Sequence, residues 1–160
     1  MHTDIFKTDA PTALYVTSPD YLGGITDLSP IARLCNERGA LLLVDNAHGA
    51  YLKFLPRSQH PIDLGADFCC DSAHKTLPVL TGGAYLHISK KAPDKFKNES
   101  TVRNTFSLFT STSPSYLILQ SLDAANAYMA NGYKESLSAF AQKVKSLKEE
   151  LEAVGYRFIG

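Results

Sequence analysis

The segment at residues 41–44 is apolar at every position, and this feature most constrains the fold of the chain. A strand with one face in solvent alternates polar and apolar residues, whereas a strand covered on both faces is apolar throughout. Strands of the second kind occur in parallel sheets flanked by helices. Residues 13–17 and 66–70 are short apolar runs that predict two further strands of the same sheet. We therefore expect an α/β fold.

The sequence around these strands predicts a helix and one reversal of chain direction. Asp27 or Ser29 can cap a helix that has Pro30 in its first turn and stops at Gly39. Residues 82–88 predict a fourth strand, which follows the third after too few residues for a crossover helix. The fourth strand should therefore run antiparallel to the third, so we expect a mixed, mostly parallel sheet flanked by helices.

The C-terminal half predicts two longer helices. The first begins at residues 113–114 and ends near residues 131–132, and the second is a long amphipathic helix that Gly155 closes. Residues 93–96 predict a helical portion, and residues 156–159 resemble the beginning of another strand. The apolar stripe of the long helix indicates a packing surface rather than a binding helix.

The charge balance and the cysteine content exclude several classes of protein. The 16 basic and 16 acidic residues give a formal net charge of zero, so we expect no nucleic-acid surface. Cys35, Cys69 and Cys70 are an odd number in apolar segments, which is typical of buried thiols in a reducing compartment. Residues 1–12 lack the apolar region of a signal peptide, and no apolar run reaches the ~18 residues of a membrane span. We therefore expect a soluble, cytoplasmic protein with no membrane partner.

Three common kinds of site are not indicated by the sequence. The histidines include no pair at i and i+4 that suits zinc, so no metal site is expected. Gly23-Gly24 and Gly82-Gly83 lack the spacing of a dinucleotide-binding turn or a P-loop, and ordinary turns explain them. No Gly-x-Ser-x-Gly motif is present, so serine hydrolysis has no support.

Two charged residues follow neighbouring strands of the predicted sheet. Asp45 comes directly after the second strand, and Lys75 follows the third strand by a few residues. Ligands of open α/β sheets bind beyond the carboxyl ends of the strands, so both side chains can face one pocket. Pyridoxal phosphate chemistry requires a lysine that forms a Schiff base and an aspartate that keeps the pyridine nitrogen protonated. The ordinary alternatives are a turn-capping role for Asp45 and a solvated surface position for Lys75.

Five motifs occur in order along the chain, at residues 15–24, 45–50 (Asp45-Asn46-Ala47-His48-Gly49-Ala50), 65–67, 72–77 (Ser72-Ala73-His74-Lys75-Thr76-Leu77) and 110–116. Together they resemble the major domain of the ornithine/lysine/arginine decarboxylases. These enzymes have the aspartate-aminotransferase-like fold, fold type I, of pyridoxal phosphate enzymes. The resemblance implies that residues 1–155 are part of a large domain, in which the long C-terminal helix leads to a missing small domain. Residues 156–160 would then begin that truncated C-terminal domain.

The resemblance also implies roles for individual residues around pyridoxal phosphate. Lys75 is the expected Schiff-base lysine, Asp45 the partner of the pyridine nitrogen, and His48 a neighbour of the phenolic oxygen. The other residues are expected to approach a phosphate, the last three of them across a dimer interface: Ser72, His74, Thr110, Ser111 and Thr112. Simpler roles remain open, because His48 and His74 can be satisfied histidines of turns and Ser113 can be an ordinary helix cap.

Two residues depart from the family pattern. Asn46 stands where the family usually has an acidic residue, and Asp71 stands where a neutral polar residue is more usual. The upstream segment, which supplies a phosphate-binding turn and a ring stacked on the cofactor, is missing, as is the downstream small domain. We therefore expect a fragment of an enzyme.

The resemblance implies a decarboxylase of lysine, arginine or ornithine that yields a polyamine precursor and works as a homodimer or a larger homo-oligomer. Its partner is a small-molecule amino acid. An aminotransferase or a sulfur-transferring lyase of the same fold is an alternative, because the same aspartate and lysine serve all of these enzymes. A non-catalytic remnant is a second alternative, because the phosphate-binding turn and the stacking ring are absent.

Overall fold

Four strands form one sheet in the computed structural model, which describes residues 11–111 and 113–158. In spatial order they are β1 (Ala13–Thr17), β2 (Leu41–Asp45), β3 (Phe68–Asp71) and β4 (Tyr85–Ile88). β1, β2 and β3 are parallel, and β4 runs antiparallel to β3. The predicted mixed, mostly parallel sheet is confirmed, including the reversal at the fourth strand.

Helices connect and flank the strands. The α-helices are α1 (Leu28–Glu37), α2 (Ala73–Thr76), α3 (Glu99–Ser107), α4 (Tyr116–Ala130) and α5 (Tyr133–Ala153), and 3₁₀ helices lie at Ala50–Phe54 and Asp94–Phe96. α3 was not predicted, because Val102 and Phe106 are the only apolar residues in its sequence. Within the described ranges, no helix combines the length and the apolarity of a membrane span.

β2 and α1 form the main core. Leu42 and Val44 of β2 are at most 2 % exposed, and they belong to the same buried cluster as Ile31 and Cys35 of α1. The alternate residues of β2 are half-buried on the opposite face of the sheet. Of the two caps predicted for α1, Asp27 is the one observed, because its carboxylate accepts a hydrogen bond from the backbone N–H of Ser29 at 3.2 Å.

Two predicted element boundaries differ from the structure. α4 begins at Tyr116 rather than at residues 113–114. Residues 156–158 form no strand, because the N–H of Tyr156 donates to the carbonyl of Leu151 and closes α5 in a turn. The rest of that expected strand lies outside the described residues.

The three cysteines do not share one environment. Cys35 and Cys69 are buried as expected, whereas Cys70 is exposed. Successive residues of a strand point to opposite faces, so Cys70 lies on the face of β3 opposite to Cys69. The expectation that all three thiols are buried was therefore wrong for Cys70.

Candidate functional site

Asp45 and Lys75 lie beyond the carboxyl ends of neighbouring parallel strands. Asp45 is the last residue of β2 and is paired in register with Cys70 of β3. Lys75 lies in α2, the short helix that follows β3. Both residues are therefore at the edge of the sheet where ligands bind in open α/β folds.

The amine of Lys75 lies beside the imidazole of His48. Lys75 Nζ is 3.4 Å from His48 Nε2, and Lys75 is exposed. The other ring nitrogen of His48, Nδ1, is buried and has no hydrogen-bond partner among the described residues. The ring of Tyr21 contacts His48 edge-on, with the ring centroids 5.9 Å apart. The site thus combines an accessible amine with an imidazole whose second nitrogen can still bind a polar group.

The carboxylate of Asp45 is half-buried, and one of its oxygens caps the turn after β2. Oδ1 accepts a hydrogen bond from the backbone N–H of Ala47 at 3.0 Å. Burial and the Asp45 charge both raise the pKa of Tyr15 and the pKa of Cys70, so the carboxylate lies near these two side chains. A carboxylate can accept several hydrogen bonds, so capping the turn is compatible with binding a ligand.

Ser72 and His74 flank the start of α2. Ser72 occupies the N-cap position of α2, and its side chain makes no capping hydrogen bond. His74 Nδ1 lies 3.0 Å from the carbonyl oxygen of Gly83. Because a carbonyl oxygen only accepts, this ring nitrogen is protonated and holds the loop that leads into β4. His74 therefore has a structural role through Nδ1.

Among the described residues, the segment before α4 makes no hydrogen bond with Lys75. Thr110 Oγ1 donates to a carbonyl of α3 at 2.9 Å, and Ser111 Oγ accepts from the N–H of Ser113 at 3.1 Å. Thr112 lies outside the described residues. The structure therefore brings together Lys75 and His48 at the end of β2, and it leaves Thr110 and Ser111 engaged with their own segment.

A second polar cluster surrounds Asp71, which is 3 % exposed at the end of β3. Its Oδ1 accepts from Asn46 Nδ2 at 2.7 Å and from Cys69 Sγ at 3.3 Å. Its Oδ2 lies 3.1 Å from His60 Nε2 and 2.9 Å from His87 Nε2. Burial raises the pKa of Asp71, but the hydrogen bonds outweigh burial and hold the pKa well below its usual value. Asp71 is therefore a buried carboxylate that stays ionised.

Sequence reasoning missed this cluster, although part of it had a signal. Cys69 is paired with His87 in the antiparallel register of β3 and β4. Residues two apart share a face of a strand, so the predicted strand pair already places Asp71 and His87 on the same face. His60 comes from the loop before β3, and no spacing rule indicates it. Asn46 and Asp71, where the resemblance leads us to expect other residues, are hydrogen-bonded to each other.

The sequence matches a known family over nearly its whole length. Residues 3–157 match the family described as Orn/Lys/Arg decarboxylase, major domain. The chain belongs to this family. Arginine decarboxylase of Halalkalibacterium halodurans is 32% identical over 144 residues, which are 88% of this chain and 28% of the relative. Uncharacterized protein YaaO of Bacillus subtilis is 37% identical over 145 residues, which are 88% of this chain and 29% of the relative.

This Orn/Lys/Arg decarboxylase major-domain chain spans less than a third of the length of those curated relatives. Its fold is similar to that of a solved structure, alanine–glyoxylate aminotransferase from Nostoc sp.. The TM-score is 0.72 at 20% sequence identity, and the match covers 98% of this chain and 44% of the aminotransferase. The predicted fold, part of an aminotransferase-like large domain, is confirmed. The family and the fold together support pyridoxal phosphate as the cofactor.

Proposed function

We propose that the full-length protein is a pyridoxal phosphate-dependent decarboxylase of a basic amino acid. Membership of the Orn/Lys/Arg decarboxylase family supports the reaction class. Relatives named arginine decarboxylase make arginine the first substrate to test, before lysine and ornithine. The observation that carries the proposal is the 3.4 Å contact between Lys75 Nζ and His48 Nε2, beside the strand that ends in Asp45.

The residues at this edge of the sheet fit the cofactor. Lys75 is exposed and can be reached by an aldehyde, and Asp45 supplies a carboxylate for a protonated ring nitrogen. His48 Nδ1 is a buried polar atom without a partner among the described residues, and a bound polar group would satisfy it. When bound, pyridoxal phosphate accepts the electron pair that remains on the substrate after carbon dioxide leaves.

Each side chain has its own task in this proposal. Lys75 holds the cofactor covalently, and Asp45 keeps a proton on the pyridine nitrogen. His48 accepts a proton from Lys75 through Nε2, because only a neutral amine is a nucleophile. Ser72 and His74 bind the phosphate, for which Ser72 has a hydroxyl that is not used in capping α2.

We also propose that the protein forms a homodimer or a larger homo-oligomer in the cytoplasm. Residues 110–112 then reach the phosphate of a neighbouring subunit. Large apolar side chains next to this segment support an interface, because Phe109 and Tyr116 are each 85% exposed in the single chain. Light scattering of the full-length protein tests the oligomeric state, and a monomer at all concentrations would contradict this part.

The assignment of Lys75 can be tested without an activity assay. We would incubate the full-length protein with pyridoxal phosphate, reduce it with borohydride and locate the pyridoxyl group by peptide mass spectrometry. The modification is expected on Lys75 in the wild type and to be lost in Lys75→Ala. Lys53→Ala is the matched control, because Lys53 is bound to Asp63 away from the site and its loss should leave the modification in place. Modification of a different lysine would contradict the assignment.

The reaction is tested by product analysis with arginine, lysine and ornithine. Release of carbon dioxide from one of them supports the decarboxylase. Formation of a keto acid without carbon dioxide would instead indicate an aminotransferase, the activity named for the solved neighbour. A full-length protein that neither binds the cofactor nor turns over any of these amino acids would be a non-catalytic remnant.

A further inference from the structure

In the cluster around Asp71, three atoms of kinds that bind metal ions lie close together. One ring nitrogen of His60, one ring nitrogen of His87 and a carboxylate oxygen of Asp71 all lie within 4.8 Å of one another. His60 and Asp71 are buried, and His87 is half-buried. Asp71 lies next to Cys70 in β3 and so faces the side of the sheet opposite to Asp45, the register partner of Cys70. The cluster is thus separate from the site around Lys75.

We propose that His60, Asp71 and His87 bind a divalent transition-metal ion such as zinc. Two imidazole nitrogens and one carboxylate oxygen are a common protein ligand set for such ions. Around a tetrahedral zinc ion with bonds of ~2.1 Å, ligand atoms are ~3.4 Å apart. The histidine nitrogens lie 3.1 Å and 2.9 Å from Asp71 Oδ2, so these two separations need to widen by only a few tenths of an ångström to admit the ion.

The surroundings of Asp71 orient the carboxylate for this role. Asn46 Nδ2 and Cys69 Sγ both donate to Oδ1, so Oδ2 is the oxygen that faces the two histidines. Outer partners that fix the orientation of a ligand in this way are typical of metal sites. A ligand set on two strands and one packed loop is also more rigid than one carried by an exposed loop.

A cavity beside the cluster leaves room for a further ligand. It has a volume of about 430 Å³, and His60, Asp71 and His87 line it together with Lys53 and Tyr85. Zinc sites with three protein ligands keep a fourth position for water or a small molecule. Access through the cavity provides both the entry path and the fourth position.

When the ion binds, the contacts of His60 and His87 with Asp71 are replaced by bonds from these residues to the metal. Each histidine that ligates through Nε2 carries its remaining proton on Nδ1. The N–H of Ile62 lies 3.4 Å from His60 Nδ1, which is beyond the usual range of an N–H hydrogen bond. The change of tautomer at His60 therefore costs one weak contact, and the contacts of Asn46 and Cys69 with Asp71 are kept.

The experiment is a zinc titration of the full-length protein followed by calorimetry, with the visible spectrum of bound Co²⁺ as a second readout. His87→Gln is the main variant, because His87 is half-buried and its loss disturbs packing least. Asp71→Asn removes the charge and keeps the shape of the side chain. Asp94→Asn is the matched control, because Asp94 is an exposed carboxylate that pairs with Lys97 instead of the cluster. Circular dichroism confirms that each variant is folded.

We expect one zinc ion to bind per chain in the wild type and in Asp94→Asn. Loss of an outer partner of a metal ligand already costs ~10- to 100-fold in affinity, so we expect at least ~100-fold weaker binding in His87→Gln and Asp71→Asn. The Co²⁺ spectrum should show the strong visible bands of a four-coordinate ion only where zinc binds. Equal affinity in all variants, or no binding to the wild type at ~1 mM zinc, would overturn the proposal. These outcomes do not depend on whether Lys75 binds a cofactor.

Discussion

Asn46 donates a hydrogen bond of 2.7 Å from Nδ2 to Oδ1 of Asp71, and both side chains are buried. The bond links the turn after β2 to the end of β3. Asn46 directly follows Asp45, so the bond also holds the backbone on which the candidate site is built. The resemblance leads us to expect an acidic residue at 46 and a neutral residue at 71, whereas this chain has the neutral residue at 46 and the acidic residue at 71.

We expect the effects of substitutions at residues 46 and 71 on the free energy of unfolding to depend on each other. Asn46→Asp places a second carboxylate against Asp71, and we expect the free energy of unfolding to fall by ~3–5 kcal/mol because a buried charge loses its partner. Asp71→Asn removes the charge that His60 and His87 bind, with an expected loss of ~1–3 kcal/mol. The double variant restores one carboxylate and one carboxamide, so it should be more stable than Asn46→Asp alone.

Urea unfolding of the full-length protein and the three variants measures these differences. Asn36→Asp is the control, because Asn36 is exposed in α1 and its change should stay within ~0.5 kcal/mol. If the two single losses simply add in the double variant, the side chains at 46 and 71 do not interact as argued.

The sheet could be predicted from the sequence because its strands carry strong local signals. Residues 41–44 indicated a strand with both faces covered, and the short connection before residues 82–88 required an antiparallel neighbour. α3 could not be predicted, because its two apolar residues, Val102 and Phe106, are too few to form an apolar stripe like the one that indicated α5. The expected strand at residues 156–159 shows the limit of local pattern, since a strand also needs a neighbour with which to pair.

The candidate site could be predicted only in part. Asp45 and Lys75 follow strands, and that position alone brought them to one edge of the sheet. The contact of Lys75 with His48 depends on the position of the turn after β2 relative to α2. Sequence spacing does not determine this position. The cluster at Asp71 needs His60 from a long loop, and such a contact becomes visible only once the chain is folded.

Leu42 should be the most sensitive position of the core next to the site. It is fully buried in β2 and belongs to the cluster that joins the strand to α1. We expect Leu42→Ala to lower the free energy of unfolding by ~2–5 kcal/mol, because the substitution removes apolar contacts and leaves a cavity. Leu22→Ala is the control, because Leu22 is 91% exposed. Equal effects of the two substitutions in urea unfolding would show that the cluster is not the core.

The ion pair of Asp63 with Lys53 should make a pH-dependent contribution to stability. Burial raises the pKa of Asp63, but hydrogen bonds from Lys53 and Ser58 outweigh it and lower the pKa. A carboxyl group whose pKa is lower in the folded state stabilises the fold above its unfolded pKa of ~3.9, and this contribution is lost as the pH falls through the folded pKa. The melting temperature of the wild type should therefore exceed that of Asp63→Asn near pH 7, and the difference should shrink below ~pH 4.

Thermal unfolding at a series of pH values checks this dependence. Lys53→Met is the reference background, because it removes the cation that binds both oxygens of Asp63. In that background Asp63→Asn should change the melting temperature less than it does in the wild type. If the melting temperatures of the wild type and Asp63→Asn differ by the same amount at pH 7 and at pH 3, the assigned direction of the Asp63 pKa shift is wrong.

His48 should affect turnover more than attachment of the cofactor. Its Nε2 lies 3.4 Å from Lys75 Nζ, within reach of a proton on the amine. We expect His48→Asn to lower kcat/KM for the amino acid substrate by ~100-fold or more, because a positioned proton acceptor contributes rate factors of ~10²–10⁴. Borohydride reduction should still place the pyridoxyl group on Lys75 in this variant, because water can also take the proton from the exposed amine during a long incubation. Tyr21→Phe keeps the ring that contacts His48 and should leave kcat/KM unchanged within error. If His48→Asn keeps the wild-type kcat/KM, His48 does not move a proton at Nζ and its contact with Lys75 only positions the amine.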